Sequence, residues 1–166
     1  MKNTLFILLL LIIATTSCER DDICIDATTP NLLINFFDNE DPTETNPVTN
    51  LSVRVLEIEN DSLPLLTNDT IVSVPLKVTE LNTRYILTLN SLGDSSTDAT
   101  IKLNRDTINV TYTPQEVFVG RACGFKSVFN NVTYELTDDS NNWIKSLEVV
   151  SDTINDETVA HVKIFH

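Results

Sequence analysis

Glycine, histidine and positive charge are all scarce in this chain. Its 166 residues include only three glycines, Gly93, Gly120 and Gly124, and two histidines, His161 and His166. Without a cluster of glycines there is no Gly-rich ion loop, and the Gly-x-Ser-x-Gly elbow of a serine hydrolase is missing. The histidines offer little to catalysis. His161 falls out of phase with Ala160, Val162 and Ile164 in the last apolar run, which points it to solvent, and His166 is the final residue, expected to be mobile. Paired carboxylates could serve glycoside hydrolysis, but 24 acidic residues single out no pair. No catalytic residue, no metal ligand set and no cofactor is therefore assigned, and a non-enzymatic protein is expected.

The shortage of Lys and Arg excludes partners of its own. There are 11 basic residues against 24 acidic ones, a net charge of −13. Nucleic acid demands Lys and Arg against its phosphates, so it is not a partner here. Docking on anionic lipid through a basic face is disfavoured for the same reason.

Long hydrophobic runs are absent too, except for one. Leu5–Ala14 is ten apolar residues long, with Lys2 as the only charge before it. A bilayer-spanning helix needs about 20 such residues, whereas ten fit the apolar region of a secretory signal. The small residues Ala14-Thr15-Thr16-Ser17 lead to Cys18, and hydrophilic sequence (Glu19-Arg20-Asp21-Asp22) follows at once. This is the layout of a lipoprotein signal: residues 1–17 removed, Cys18 lipidated, residues 18–30 a short tether and 31–166 the domain. Thr15 stands where most such signals carry Leu.

Three stretches carry a resemblance: Cys18-Glu19-Arg20-Asp21-Asp22-Ile23-Cys24, Thr29-Pro30-Asn31-Leu32-Leu33-Ile34 and Arg121-Ala122-Cys123-Gly124-Phe125-Lys126. Together they resemble a family of small, functionally uncharacterised lipoproteins of Bacteroidetes-type bacteria. The resemblance implies attachment to the outer membrane through the N-terminal lipid and brings no catalytic residues. In such proteins acidic residues after the lipidated cysteine resemble a signal for export to the outer surface. Glu19, Asp21 and Asp22 could equally keep a linker solvated.

Three cysteines are an odd number for an exported chain, but with Cys18 carrying lipid the remainder is a pair. Cys24 and Cys123 are then expected to form a disulfide in an oxidising envelope. Two buried thiols are the alternative. A zinc site is disfavoured because neither cysteine has a close Cys or His at ligand spacing. The disulfide would fix the tether length. Six residue steps separate Cys18 from Cys24, at most about 20 Å of extended chain, so the domain would sit close to its membrane.

Beyond the tether no helical period is sustained. Short runs rich in Val, Ile, Thr, Tyr and Phe alternate with turn residues. They predict strands over Asn31–Phe37, Leu51–Ile58, Ile71–Val78, Arg84–Asn90, Ala99–Leu103, Thr107–Thr113, Glu116–Gly120, Lys126–Leu136, Trp143–Val150 and Val159–Phe165. Leu51, Val53 and Val55 share a face, as do Tyr85, Leu87 and Leu89. Ile101 and Leu103 are expected to face Ile108, Val110 and Tyr112 across a hairpin closed near Asn104-Arg105-Asp106. Phe129 and Val132, three apart, reach one face only through a bulge at Asn130-Asn131. Pro75 marks an edge or a break, and Asp38–Thr49 reads as one long surface loop. The fold expected is all-β: a single antiparallel two-sheet β-sandwich, immunoglobulin-like or related.

Several clusters could carry chemistry. Asp38, Glu40, Asp41 and Glu44, then Asp138 and Asp139, then Asp152, Asp156 and Glu157 gather in loops, but none has calcium-loop spacing, and solvated turn carboxylates are the simpler reading. Asp61-Ser62-Leu63, Asp69-Thr70-Ile71, Asp106-Thr107-Ile108 and Asp152-Thr153-Ile154 repeat an Asp-Ser/Thr-aliphatic form. It resembles the O-glycosylation acceptor pattern of exported Bacteroidetes-type proteins, making Ser62, Thr70, Thr107 and Thr153 candidate acceptors; turn chemistry is the alternative. Trp143, Tyr85, Tyr112, Tyr134 and the phenylalanines could form a carbohydrate-stacking surface, although their phase in the strands favours core packing. Arg121 and Lys126 flank Cys123 and either border the disulfide or meet an anion. The function expected is a lipid-anchored module at the outer membrane that binds an envelope protein or glycan. A structural envelope protein or an enzyme acting on envelope polysaccharide are the alternatives.

Overall fold

The computed structural model describes residues 23–24, 28–56, 63–67, 69–91 and 103–166. The signal segment, Cys18, the acidic residues after it, Ser62 and most of the expected strand at Ala99–Leu103 lie outside the described residues. Nine strands follow one another without a helix among the described residues: β1 (Leu32–Phe37), β2 (Leu51–Val55), β3 (Leu63–Thr67), β4 (Ile71–Val74), β5 (Asn82–Leu89), β6 (Asn104–Gly120), β7 (Gly124–Leu136), β8 (Ser146–Val149) and β9 (Val162–Phe165). They form two sheets, ordered β4-β1-β9-β8 and β3-β2-β5-β6-β7.

Period-two alternation builds the core between them. Leu32, Ile34 and Phe36 of β1, Val72 and Val74 of β4, and Val162 and Ile164 of β9 are buried from one sheet. Leu51, Val53 and Val55 of β2, Tyr85 and Leu87 of β5, and Ile108, Val110 and Tyr112 of β6 are buried from the other. All join one apolar cluster. The expected two-sheet all-β architecture is what the chain adopts. Its pairings are antiparallel except one: β1 and β9 run parallel, Ile34 opposite Val162 through Phe37 opposite Phe165.

The bulge in β7 forms where the spacing demands it. Thr111 pairs with Thr133 and Thr113 with Asn130, so β7 carries an extra residue. Asn131 takes a φ of 53°, a left-handed conformation that Asn tolerates. Phe129 and Val132 are both buried in consequence. Pro75 follows directly on β4, itself a sheet edge.

Two expectations about strands need correction. Asn104-Arg105-Asp106 is not a hairpin turn but the start of β6, with Asn104, Arg105 and Asp106 opposite Leu89, Thr88 and Leu87. Asp106 is fully buried, and its Oδ2 accepts the Ile144 N–H at 2.8 Å. A tertiary partner 38 residues away turns a residue that reads as turn chemistry into part of the core. Second, Thr107–Thr113 and Glu116–Gly120 are one strand despite Pro114. Tyr112 donates its N–H to Leu81; Pro114, two residues on, faces the same side, where β5 has already ended. No neighbour requires the N–H that proline lacks. β3 is a further strand beyond those the sequence predicts; it carries Pro64, which is tolerated because β3 lies at a sheet edge.

Both histidines are structural. His161 is 2% exposed rather than solvent-facing. It precedes β9, so strand phase does not govern it. Its Nδ1 accepts the Leu33 N–H at 3.0 Å, its Nε2 donates to the Asp156 carbonyl at 3.0 Å, and its own N–H donates to the Leu33 carbonyl at 2.9 Å. His166 is held as well. Its N–H donates to the Phe37 carbonyl, its Nε2 lies 3.1 Å from the Asn46 carbonyl, and its ring meets Phe36 and Trp143 edge-on.

Buried tyrosines fasten the β4–β5 connection. The Tyr112 hydroxyl donates to the Lys77 carbonyl at 2.8 Å and accepts from Thr83, whose oxygen accepts the Lys77 N–H. Tyr85 donates to the Pro75 carbonyl.

Candidate functional site

β6 and β7 are far longer than their neighbours, at 17 and 13 residues. β5 accompanies β6 only as far as Thr111. The rest of the hairpin runs on as a two-stranded ribbon, turning at Arg121-Ala122-Cys123 with Gly124 at φ 68°, a conformation that glycine adopts without strain. Near the base of the ribbon, β7 bonds on its other side to the segment around Ile154: the Phe129 and Ile154 backbones exchange both hydrogen bonds. Toward the turn the supports are few. Lys126 Nζ donates to the Asn155 carbonyl at 3.2 Å, and the Ser127 N–H donates to Thr29 Oγ1 at 3.0 Å.

At the turn the N-terminal segment is fixed to the ribbon. Cys24 and Cys123 lie at disulfide distance, with sulfurs 1.92 Å and Cα atoms 4.9 Å apart. Thr28 and Thr29 run beside the hairpin, and with Val119, Phe125, Lys126 and the two cysteines they line a cleft of about 260 Å³.

The same tip carries the most exposed aromatics among the described residues. Phe118 and Phe125 pair directly across the strands, their ring centroids 5.3 Å apart in an edge-on contact. They are 58% and 66% exposed. Both point to the same side of the ribbon as Phe129, which is fully buried four pairs further in. Beyond Phe129 this face carries Glu116 opposite Ser127 and then the Phe118–Phe125 pair, past the end of β5. Alternation identified the face but not the end of its cover. The available signal was position: Phe118 and Phe125 lie three residues before and two residues after the Arg121-Ala122-Cys123 turn.

The tyrosines and the tryptophan belong to the core. Tyr85, Tyr112 and Phe129 are buried, and Trp143, 6% exposed, stacks on Phe36 and donates its indole N–H to the Leu87 carbonyl. Tyr134 packs against the core with its hydroxyl buried.

The acidic clusters tie up turns. Asp38 accepts the N–H groups of Glu40 and Asp41, and Asp139 that of Asn141. Asp41 accepts both the hydroxyl and the N–H of Thr43, and Asp156 those of Thr158; these bonds hold both carboxyls below their usual range. Among the described residues no group of three or more His, Cys, Asp and Glu side chains is arranged to hold a metal ion. Of the candidate glycan acceptors, Thr153 is exposed, Thr70 is half-buried just before β4, and Thr107 is half-buried within β6.

A family model covers most of this architecture, matching residues 51–166. The chain belongs to DUF6452, a family of unknown function. The match takes in the whole β6–β7 hairpin and Cys123, while β1 and Cys24 precede it. No curated protein and no solved structure matches the chain.

Proposed function

We propose that this chain is a lipid-anchored, non-enzymatic module of the bacterial outer membrane, holding a β-sandwich against the membrane surface to bind an envelope protein or glycan. The observation that carries this is the position of Cys18. It closes a ten-residue apolar run at the end of its small residues, and it stands six residues before a cysteine seated against the domain. Lipid on Cys18 supplies several acyl chains, each buried CH₂ contributing about 0.8 kcal/mol, enough for lasting attachment. The resemblance to uncharacterised Bacteroidetes-type lipoproteins supports the same address. The non-enzymatic part rests on the sequence, which offers no nucleophile–base motif, and on the histidines, both engaged by backbone groups.

Intact mass of the chain extracted from native membranes tests the anchor. The expected species begins at Cys18 and carries acyl groups, and Cys18→Ser leaves the membrane fraction. A chain that retains residues 1–17, or a wild-type chain recovered without acyl mass in the soluble fraction, would refute it. The same spectrum reads glycosylation: added sugar mass lost on changing Ser62, Thr70, Thr107 or Thr153 assigns the acceptor, and no added mass rules the acceptors out. Crosslinking on intact cells tests the binding role, for which one stoichiometric partner is expected.

A further inference from the structure

We propose that the tip of the β6–β7 hairpin is a second membrane contact, with Phe118 and Phe125 seated at the headgroup boundary of the bilayer that holds the Cys18 lipid. Given the anchor proposed above, on which this rests, three observations converge on the tip. The first is reach. The leash ends at Cys24, and Cys24 is joined to Cys123 in the turn of the hairpin itself. Six residue steps span at most about 20 Å, so the part of the domain held nearest the bilayer is the tip.

The second is chemistry. Phe118 and Phe125 form a paired aromatic wedge, more than half exposed, at the end of a ribbon that projects beyond the rest of its sheet. On the opposite face of the ribbon Val117, 36% exposed, pairs with Lys126. Aromatic rings suit the water–lipid boundary, where apolar side chains sink about 5–10 Å below the headgroups. Water gives this wedge nothing in return for its exposure.

The third is charge. The chain is strongly acidic, yet Glu116–Lys126 holds Arg121 and Lys126 against Glu116 alone. Asp156 and Glu157 stand one step back from the tip, around Lys126 and His161. The densest acidity is at the other end of the sandwich. β1 runs from Leu32, beside the hairpin, to the Asp38–Thr49 loop with its four carboxylates. Residues 137–142, with Asp138 and Asp139, pack at the start of β6, where Asn104 donates to the Asn141 carbonyl. The hairpin tip is thus free of the acidity of the far end, and the acidic residues nearest the bilayer are those of the leash, Glu19, Asp21 and Asp22 beside Arg20. Two rings alone would bind a membrane weakly from solution; a leash this short keeps them at high local concentration, so a weak contact stays occupied.

Depth-dependent fluorescence decides the matter. The lipidated full chain carrying Phe118→Trp is reconstituted into phosphatidylethanolamine–phosphatidylglycerol vesicles, with and without lipids brominated near the top of the acyl chains. Trp143 is buried in the core, so the wild-type chain supplies the background. Emission of the introduced indole is expected to fall by roughly half in brominated vesicles, as for a side chain at the headgroup–acyl boundary, with the wild-type signal unchanged. If the chain floats with the vesicles but the indole is not quenched, the tip contact is wrong and the anchor stands. The same holds if the indole is shielded only by a second copy or another protein crosslinked at the tip. If the chain does not float with the vesicles at all, the anchor itself is refuted and the tip contact falls with it. Phe125→Trp repeats the reading from the facing strand and guards against a local effect of one substitution.

Discussion

Removing the His161 imidazole should weaken the junction between β1 and β9 and abolish the pH dependence that this side chain supplies. In the folded chain the ring must be neutral, because Nδ1 accepts a hydrogen bond from the Leu33 N–H while Nε2 donates one to the Asp156 carbonyl. Burial pushes its pKa below 6.5, opposed by the Asp156 carbonyl and the charges of Asp156 and Glu157. A depressed histidine pKa means that the unfolded chain takes up the proton first. Stability is therefore complete above about pH 6.5 and falls as pH drops from there toward the folded value. His161→Ala strands the Leu33 N–H within the sheet, costing about 1–3 kcal/mol, and the vacated imidazole volume brings the total to about 2–4 kcal/mol. For a domain of this size that lowers the melting temperature by about 10 °C. His161→Asn places an amide oxygen near the Nδ1 position and keeps the acceptor, so it should cost about 1–2 kcal/mol. Urea unfolding between about pH 5 and 8 reads both effects. The reasoning is refuted if His161→Asn keeps the wild-type slope of stability against pH, or if His161→Ala costs less than about 0.5 kcal/mol.

Asp106 should behave in the opposite sense. Burial raises its pKa, the Ile144 N–H opposing, so the ionised form costs stability above the folded pKa and the cost is relieved as pH falls toward 3.8. Asp106→Asn, which keeps an acceptor for Ile144, is expected to match or exceed wild-type stability at neutral pH, while Asp106→Ala loses about 1–3 kcal/mol in urea titrations. Tyr134 has its hydroxyl buried with no hydrogen-bond partner among the described residues, so Tyr134→Phe should stabilise by about 1 kcal/mol, read as a higher melting temperature. Replacing Cys24 and Cys123 by Ser opens a loop with a sequence separation of 99. The chain-entropy limit is about 4.7 kcal/mol and the expected loss about 2–4 kcal/mol, accompanied by faster amide exchange over residues 116–126.

Much of the fold was legible because alternation is a local signal. Leu51, Val53 and Val55 could be assigned to the core, and the Phe129–Val132 spacing required a bulge before any coordinates. What escaped was decided by distant partners. Asp106 sits between Arg105 and Thr107 and reads as a turn; only the Ile144 N–H makes it core. His161 reads as exposed by strand phase, but it precedes the strand and its ring substitutes for a ladder contact with Leu33. The parallel pairing of β1 with β9 joins strands more than 120 residues apart, and no local pattern announces it. The candidate site shows the same division. The Cys24–Cys123 pairing followed from counting cysteines, whereas the exposure of Phe118 and Phe125 depends on where the opposite sheet stops.

Neutron reflectometry of the lipidated full chain on a supported bilayer tests the tethered tip most directly. Protein density should begin at the headgroups with no water layer between. Reducing the Cys24–Cys123 bond extends the leash to the start of β1 at Leu32, from about 20 Å to about 50 Å, and should let a hydrated gap open. A water layer beneath the oxidised protein, unchanged on reduction, would contradict both the short leash and the seated hairpin.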